Sequence, residues 1–169
     1  MKQRMEKAIN DQINAEISSS YLYLAMTAYC DAAGLPGAAH WMRQQVQEEL
    51  FHVMKMFHYL VERGGKVTLD AIARPQQTWE SPLAVFQGVL DHEKKVTGLI
   101  NTLTDLAIKE SDHATVNFLQ WFIAEQVEEE AAAGAVVAKL KLAGNDTSAL
   151  LYLDAELGRR IFTLPAQSV

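Results

Sequence analysis

The chain has 169 residues, 49% of them hydrophobic and 21% charged, with a net charge of −6 and one cysteine, Cys30. That length fits one domain over residues 1–169 with a core of its own, and the hydrophobic share excludes a disordered chain. The acidic balance argues against nucleic acid as a partner, a single cysteine excludes an internal disulfide or a four-cysteine metal site, and no apolar run is long enough to cross a bilayer.

Helical periodicity dominates and strand signals are almost absent, so the expected fold class is all-α. The charged start, Met1 to Lys7, already reads as helix, and no apolar leader follows it, which makes the cytoplasm the expected location. A first helix covers about 2–33 and stops at Gly34; Pro36 suits the first turn of a second, about 37–63, which Gly64-Gly65 ends. Ser81-Pro82 reads as an N-cap followed by proline at the first helical position, opening a third helix over about 82–110. Asp112 is the N-cap candidate of a fourth, about 113–142, ahead of Gly144. A short fifth, about 147–157, closes at Gly158, and the tail from Phe162 to Val169 reads as extended or loose.

Connection lengths set the topology. The first–second and third–fourth links are a few residues, so each pair forms an antiparallel hairpin. The second–third link, Gly65 to Glu80, is long. If those two helices are parallel, the chain must travel back along the bundle. A helix of roughly 28 residues is about 42 Å long, and roughly 16 extended residues reach up to about 55 Å. The expected architecture is a four-helix bundle with one long crossover and a short fifth helix. Apolar surface exceeds what one bundle interior needs, in Tyr21 to Met26 and in Val67, Leu69, Ile72 and Trp79, which points to subunit contacts.

Glu49 and His52 stand three residues apart on the second helix and so share a face. Glu16 on the first helix, Glu93 on the third, and Gln126 with Glu129 on the fourth give every long helix an inward polar residue. Four carboxylates in one buried place must be paired or hold metal. Two divalent ions balance the four charges, and His52 adds a neutral nitrogen; oxygen with imidazole suits iron, manganese or zinc. Without metal, some of these carboxylates should share protons. Glu16 and His52 flank one ion, Glu49 bridges, and Glu93 with Glu129 serve the second. Gln126 is neutral and acts as a hydrogen-bond partner or weak ligand. Tyr23, seven residues after Glu16, shares its face; its hydroxyl can hydrogen-bond a ligand or supply an electron, and Trp121 is a second donor candidate. Glu48, Glu125 and Glu128 neighbour the site and, with Glu129, form the candidate for a third, more open metal position. Each signal alone has a blander meaning: a lone Glu-x-x-His is most often a solvated helix face, Glu128-Glu129-Glu130 a solvated charge run, His40, His58, His92 and His113 surface or packing residues, and Tyr23 and Trp121 core aromatics. Their coincidence on four helices with one crossover decides for a metal site.

At these residues the chain resembles the non-haem ferritins of bacteria and archaea, from about Met5 to about Phe162. The stretches are Asn14-Ala15-Glu16 with Tyr21-Leu22-Tyr23, His40-Trp41-Met42 with Gln47-Glu48-Glu49 and His52, His92-Glu93, Asn117 to Phe122, and Glu125 to Glu130. The resemblance implies that Glu16, Glu49 and His52 form the first ferroxidase iron site, and that Glu49, Glu93 and Glu129 form the second, with Gln126 beside it and Tyr23 outside it. Glu48, Glu125, Glu128 and Glu129 match a third iron site. It further implies a cytoplasmic shell of twenty-four identical subunits that oxidises Fe(II) with O2 or H2O2 and stores an oxyhydroxide mineral. Haem-binding relatives carry a second Glu-x-x-His on the last long helix and a methionine after the bridging glutamate; here Gln126 with Glu129 and Leu50 stand there, so no haem is expected. Positions matching the acidic threefold pores of animal ferritins are Val116 and Leu119. The alternatives are a di-iron oxidase or peroxide-detoxifying protein without bulk storage, and a partner-binding bundle without metal.

Overall fold

The computed structural model of the chain describes residues 1–163. Among them are five helices and no strand: α1 Gln3–Ala32, α2 Pro36–Glu62, α3 Pro82–Lys109, α4 His113–Ala143 and α5 Thr147–Leu157. The ends fall within a residue of those expected from sequence, and the local chemistry explains why. Gly34 takes φ +75°, which lets Leu35 and Gly34 donate back to the carbonyls of Cys30 and Asp31 at 3.0 and 3.1 Å and so satisfies the last turn of α1. Ser81 Oγ accepts from Ala84 N–H at 3.1 Å ahead of Pro82, and Asp112 Oδ1 accepts from Thr115 N–H at 3.2 Å. Of the tail expected to be extended or loose, residues 162–163 carry no regular structure and 164–169 lie outside the described residues.

The N-terminus of α2 is capped from a distance. Leu35 offers no side-chain acceptor there. Instead Asp154, buried on α5, accepts from the Gly37 and Ala38 N–H groups at 3.0 and 2.8 Å. The approach is close enough that a Cβ on Gly37 would fall 1.7 Å from the Asp154 carbonyl oxygen. Glycine is what allows α5 to dock on α2.

Two apolar clusters fill the bundle. One holds Met26, Cys30, Trp41, Met42, Phe86, Val89, Val137 and Leu140; the other holds Ile9, Ile13, Met56, Leu60, Ile100, Leu103, Leu119 and Phe122. Both α2 and α3 run from the first cluster to the second, whereas α1 and α4 run the other way. The second and third helices are therefore parallel, and the crossover does carry the chain back along the bundle. It lies on α1 as it goes. The Asn10 amide donates to Lys66 O at 2.9 Å and accepts from Thr68 N–H at 2.7 Å. Asn14, one turn on, donates to Thr68 O at 3.2 Å and accepts from Asp70 N–H at 2.9 Å. At the far end Trp79 packs edge-on against Tyr29 of α1, centroids 5.4 Å apart. Tyr21, Leu24, Leu69 and Ile72 remain exposed along α1 and the crossover, the surplus apolar surface expected from sequence.

Candidate metal centre

A polar layer separates the two apolar clusters. The same helical phase that buries the core residues turns Gln12, Glu16 and Tyr23 of α1, Gln45, Glu49 and His52 of α2, Glu93 of α3, and Gln126 and Glu129 of α4 inward, all of them buried. Glu16, Glu49 and His52 each offer a ligand atom, and these atoms lie within 4.8 Å of one another. His52 Nδ1 stands 3.4 Å from Glu49 Oε2. The His52 ring is fixed edge-on by Trp121 and Phe122, at centroid distances of 5.5 and 5.7 Å.

The other carboxylates surround this group through hydrogen bonds. Glu93 Oε1 accepts from the Tyr23 hydroxyl, and its Oε2 accepts from the Gln126 amide at 3.2 Å. Glu129 Oε2 accepts from Gln45 at 3.0 Å, and Glu16 Oε1 from Gln12 at 2.8 Å. What is left over is informative. Glu16 Oε2, Glu49 Oε2, Glu129 Oε1 and His52 Nε2 are buried without any hydrogen-bond partner. Orphaned buried polar atoms are costly; carboxylate oxygens gathered with an imidazole are the donor set that a hard or borderline divalent cation satisfies.

The electrostatics agree. Burial, with the Glu16 charge next, holds the Glu49 carboxyl well above its ordinary range. Burial, followed by Glu129, pushes Glu93 up to about 8, against the hydrogen bonds from Tyr23 and Gln126. Desolvation holds His52 below its usual value, which keeps the imidazole neutral and able to ligate. Burial and then Glu93 raise the Tyr23 hydroxyl well above its ordinary range, so it stays a donor.

The second acidic group is more open. Glu48 and Glu125 are half-buried and Glu128 is exposed. Burial and then Glu129 push Glu48 up to about 8; burial and then Glu128 raise Glu125. The sequence left one member of this group out. Arg160 Nη2 donates to Glu48 Oε2 at 2.7 Å, so that carboxylate already has a cation. The sequence also missed Gln12 and Gln45, each four residues before a ligand candidate on the same helix face, a spacing that identifies them. Thr97 was missed as well; it takes Gln126 at 3.4 Å and donates to Glu130 Oε1 at 2.6 Å. His92 and His40 are packing residues: they bond Ser19 Oγ and the Arg160 carbonyl, each at 2.8 Å. Leu119, which matches an acidic pore position of animal ferritins, is fully buried inside the bundle, because its face of α4 is the core face.

The Ferritin-like domain family matches residues 6–143. A bacterial non-heme ferritin of Bacteroides fragilis (strain 638R) is 43% identical over 160 residues, covering 95% of this chain and 99% of that protein. One from Staphylococcus aureus (strain MRSA252) is 37% identical over 162 residues, covering 96% and 98%. Among solved structures, an open-pore ferritin from Archaeoglobus fulgidus superposes with a TM-score of 0.94 at 54% identity over 95% of this chain and 99% of that one. A humanized archaeal ferritin superposes with a TM-score of 0.95 at 55% identity over 96% and 99%.

Proposed function

The chain belongs to the ferritin family and is an iron-storage ferritin, and from that premise we propose that its buried polar layer is a ferroxidase centre. In this reading Glu16 and His52 hold one ferrous ion, Glu93 and Glu129 hold a second, and Glu49 bridges them. Gln126 and Tyr23 orient Glu93. The supporting observation is the grouping of Glu16, Glu49 and His52 within 4.8 Å, buried and with unpartnered atoms.

The iron is substrate and cargo. Two ferrous ions give up one electron each. Dioxygen takes the two electrons with two protons to become hydrogen peroxide, or hydrogen peroxide takes them with two protons to become two waters. The protein's part is to hold two cations close with charge-matched carboxylates that are already positioned by amides and a phenol, and to do so in a buried layer between apolar cores. Protons displaced from the raised carboxyls leave as the metal arrives.

Several further features belong to the same proposal. The chain forms one domain, and copies of it assemble into a hollow shell of twenty-four, with Tyr21, Leu24, Leu69 and Ile72 as the exposed apolar surface available for contacts. The shell resides in the cytoplasm; no helix of the described residues is long and apolar enough to cross a membrane. Glu48, Glu125, Glu128 and Glu129 bind a third iron. Aerobic loading with many ferrous ions per subunit, followed by sizing and electron microscopy, tests the proposal. A soluble hollow particle with an electron-dense core is expected; a monomer that precipitates iron overturns it.

A further inference from the structure

Arg160 lies beyond the end of α5, outside every helix, yet its surroundings fix it firmly. Its guanidinium donates through Nη2 to Glu48 Oε2 at 2.7 Å and sits over the Trp41 ring, 4.2 Å from the centroid. Its carbonyl accepts from His40 Nε2 at 2.8 Å. Two residues on, the Phe162 N–H donates to Gln44 Oε1 at 2.8 Å, and the Phe162 ring meets Phe51 at 6.1 Å. All these partners are on α2. The segment after α5 is a strap along α2, and the strap delivers one positive charge to one carboxylate.

That carboxylate is not isolated. Glu48 feels the charges of Glu129 and Glu125 as well as that of Arg160. Glu129, 4% exposed, keeps one oxygen without a partner. A guanidinium stays charged at every working pH and cannot leave by losing a proton. A metal ion seated on Glu48 with the guanidinium still bonded there would put two cations on one carboxylate.

We propose that Arg160 is the resident counter-cation of Glu48, so that a divalent metal ion at the Glu48, Glu125, Glu128 and Glu129 group takes Glu48 as a ligand only by displacing the guanidinium. The inference rests on the proposed two-ion centre as the primary metal site, and makes the third position the conditional one. The strap is anchored by the Arg160 carbonyl and by Phe162, so the side chain swings away while the backbone stays. Arg160 then acts through Glu48 as a positioning residue, controlling when the third position opens.

Anaerobic titration of the assembled protein with Co(II), followed by absorption and calorimetry, tests this without any oxidation step. Wild type, Arg160→Lys and Arg160→Gln are expected to bind the first two ions alike. The third ion should bind about tenfold more tightly to Arg160→Gln, which keeps length and polarity but loses charge, than to wild type or Arg160→Lys. Equal third-ion affinity in all three overturns the inference. Failure of wild type to bind the first two ions overturns instead the two-ion centre. A crystal of the wild type soaked in Co(II) reads the same point without substitution: a third ion on Glu48 with Arg160 moved away supports displacement, and a third ion on Glu48 with the 2.7 Å pair intact overturns it.

Discussion

The phenol of Tyr23 on α1 donates to Glu93 Oε1 on α3, while Gln126 on α4 holds Oε2 of the same carboxylate. Glu93 is thus clamped from two helices before any ion arrives. Tyr23→Phe keeps the packing and removes one clamp. Removing a hydrogen-bond partner of a ligand commonly costs 10- to 100-fold in affinity, and about tenfold is expected here for the second Co(II) ion. The first ion, at Glu16 and His52, should bind as before. Equal losses at both positions in an anaerobic titration would mean that Tyr23 supports the whole centre rather than Glu93.

Glu49 is grouped with Glu16 and His52, and it feels the charges of Glu16, Glu93 and Glu129. Glu49→Ala should slow ferrous oxidation at least about a hundredfold in stopped flow, since both ions lose a ligand. Glu128 is exposed and hydrogen-bonds none of the buried ligand candidates, so Glu128→Ala should stay within about threefold of wild type in the first turnover. Equal rates in wild type and Glu49→Ala would remove Glu49 from the centre.

Acidity gives a third expectation. Glu93 is pushed up to about 8, and Glu49 is held well above its ordinary range. A raised folded pKa contributes stability that is whole below the unfolded value and is lost as pH climbs through the folded one. His52 and His92 are shifted down by desolvation, so they subtract stability only below their ordinary value of 6.5. Between pH 6.5 and 8 the carboxyls act alone. Metal-free protein in a chelating buffer should therefore melt lower at pH 8.5 than at pH 6.5, at a slope of up to about 1.4 kcal/mol per pH unit for each group. Zn(II) should flatten the trend, because the ion takes the place of the protons. A melting temperature that stays level over this window without metal would argue against crowded carboxylates.

The α5–α2 junction makes a fourth. Asp154→Ala removes the cap of α2 and should cost about 1–2 kcal/mol. Gly37→Ala sets a methyl group into the Asp154 carbonyl and should cost about 1–3 kcal/mol. Both act on one contact, so the double variant should fall short of the sum. Denaturant melts give the energies. Faster proteolysis at the Gly144–Asp146 turn would show α5 leaving its seat, and unchanged cleavage in both variants would count against the junction.

Much of this was legible in the chain because its signals are local. Gly34, Pro36, Ser81-Pro82 and Asp112 act within one helical turn of where they stand, and each did in the fold what it suggested in the sequence. The length of the Gly65–Glu80 segment encoded the parallel pair. Helical phase alone gathered Glu16, Glu49, His52, Glu93 and Glu129 into one layer. What stayed hidden is non-local. Leu35 gave no hint that Asp154, 117 positions from Gly37, would cap α2. Arg160 lies in an irregular segment with no period to aim it, so its pairing with Glu48 followed only from the docked strap.

Asn10 and Asn14 hold the crossover at Lys66, Thr68 and Asp70. Four residues of helix rise about 6 Å, and two residues of extended chain advance about 6.7 Å. The two spacings nearly coincide, so a helix face serves as a ruler for a strand-like segment, each amide standing in for a neighbouring backbone unit. The crossover is therefore indexed to α1 and not merely tethered to it. Inserting one residue between Lys66 and Asp70 would break the match between the two spacings, whereas the same insertion between Asp70 and Pro75 would leave the count intact.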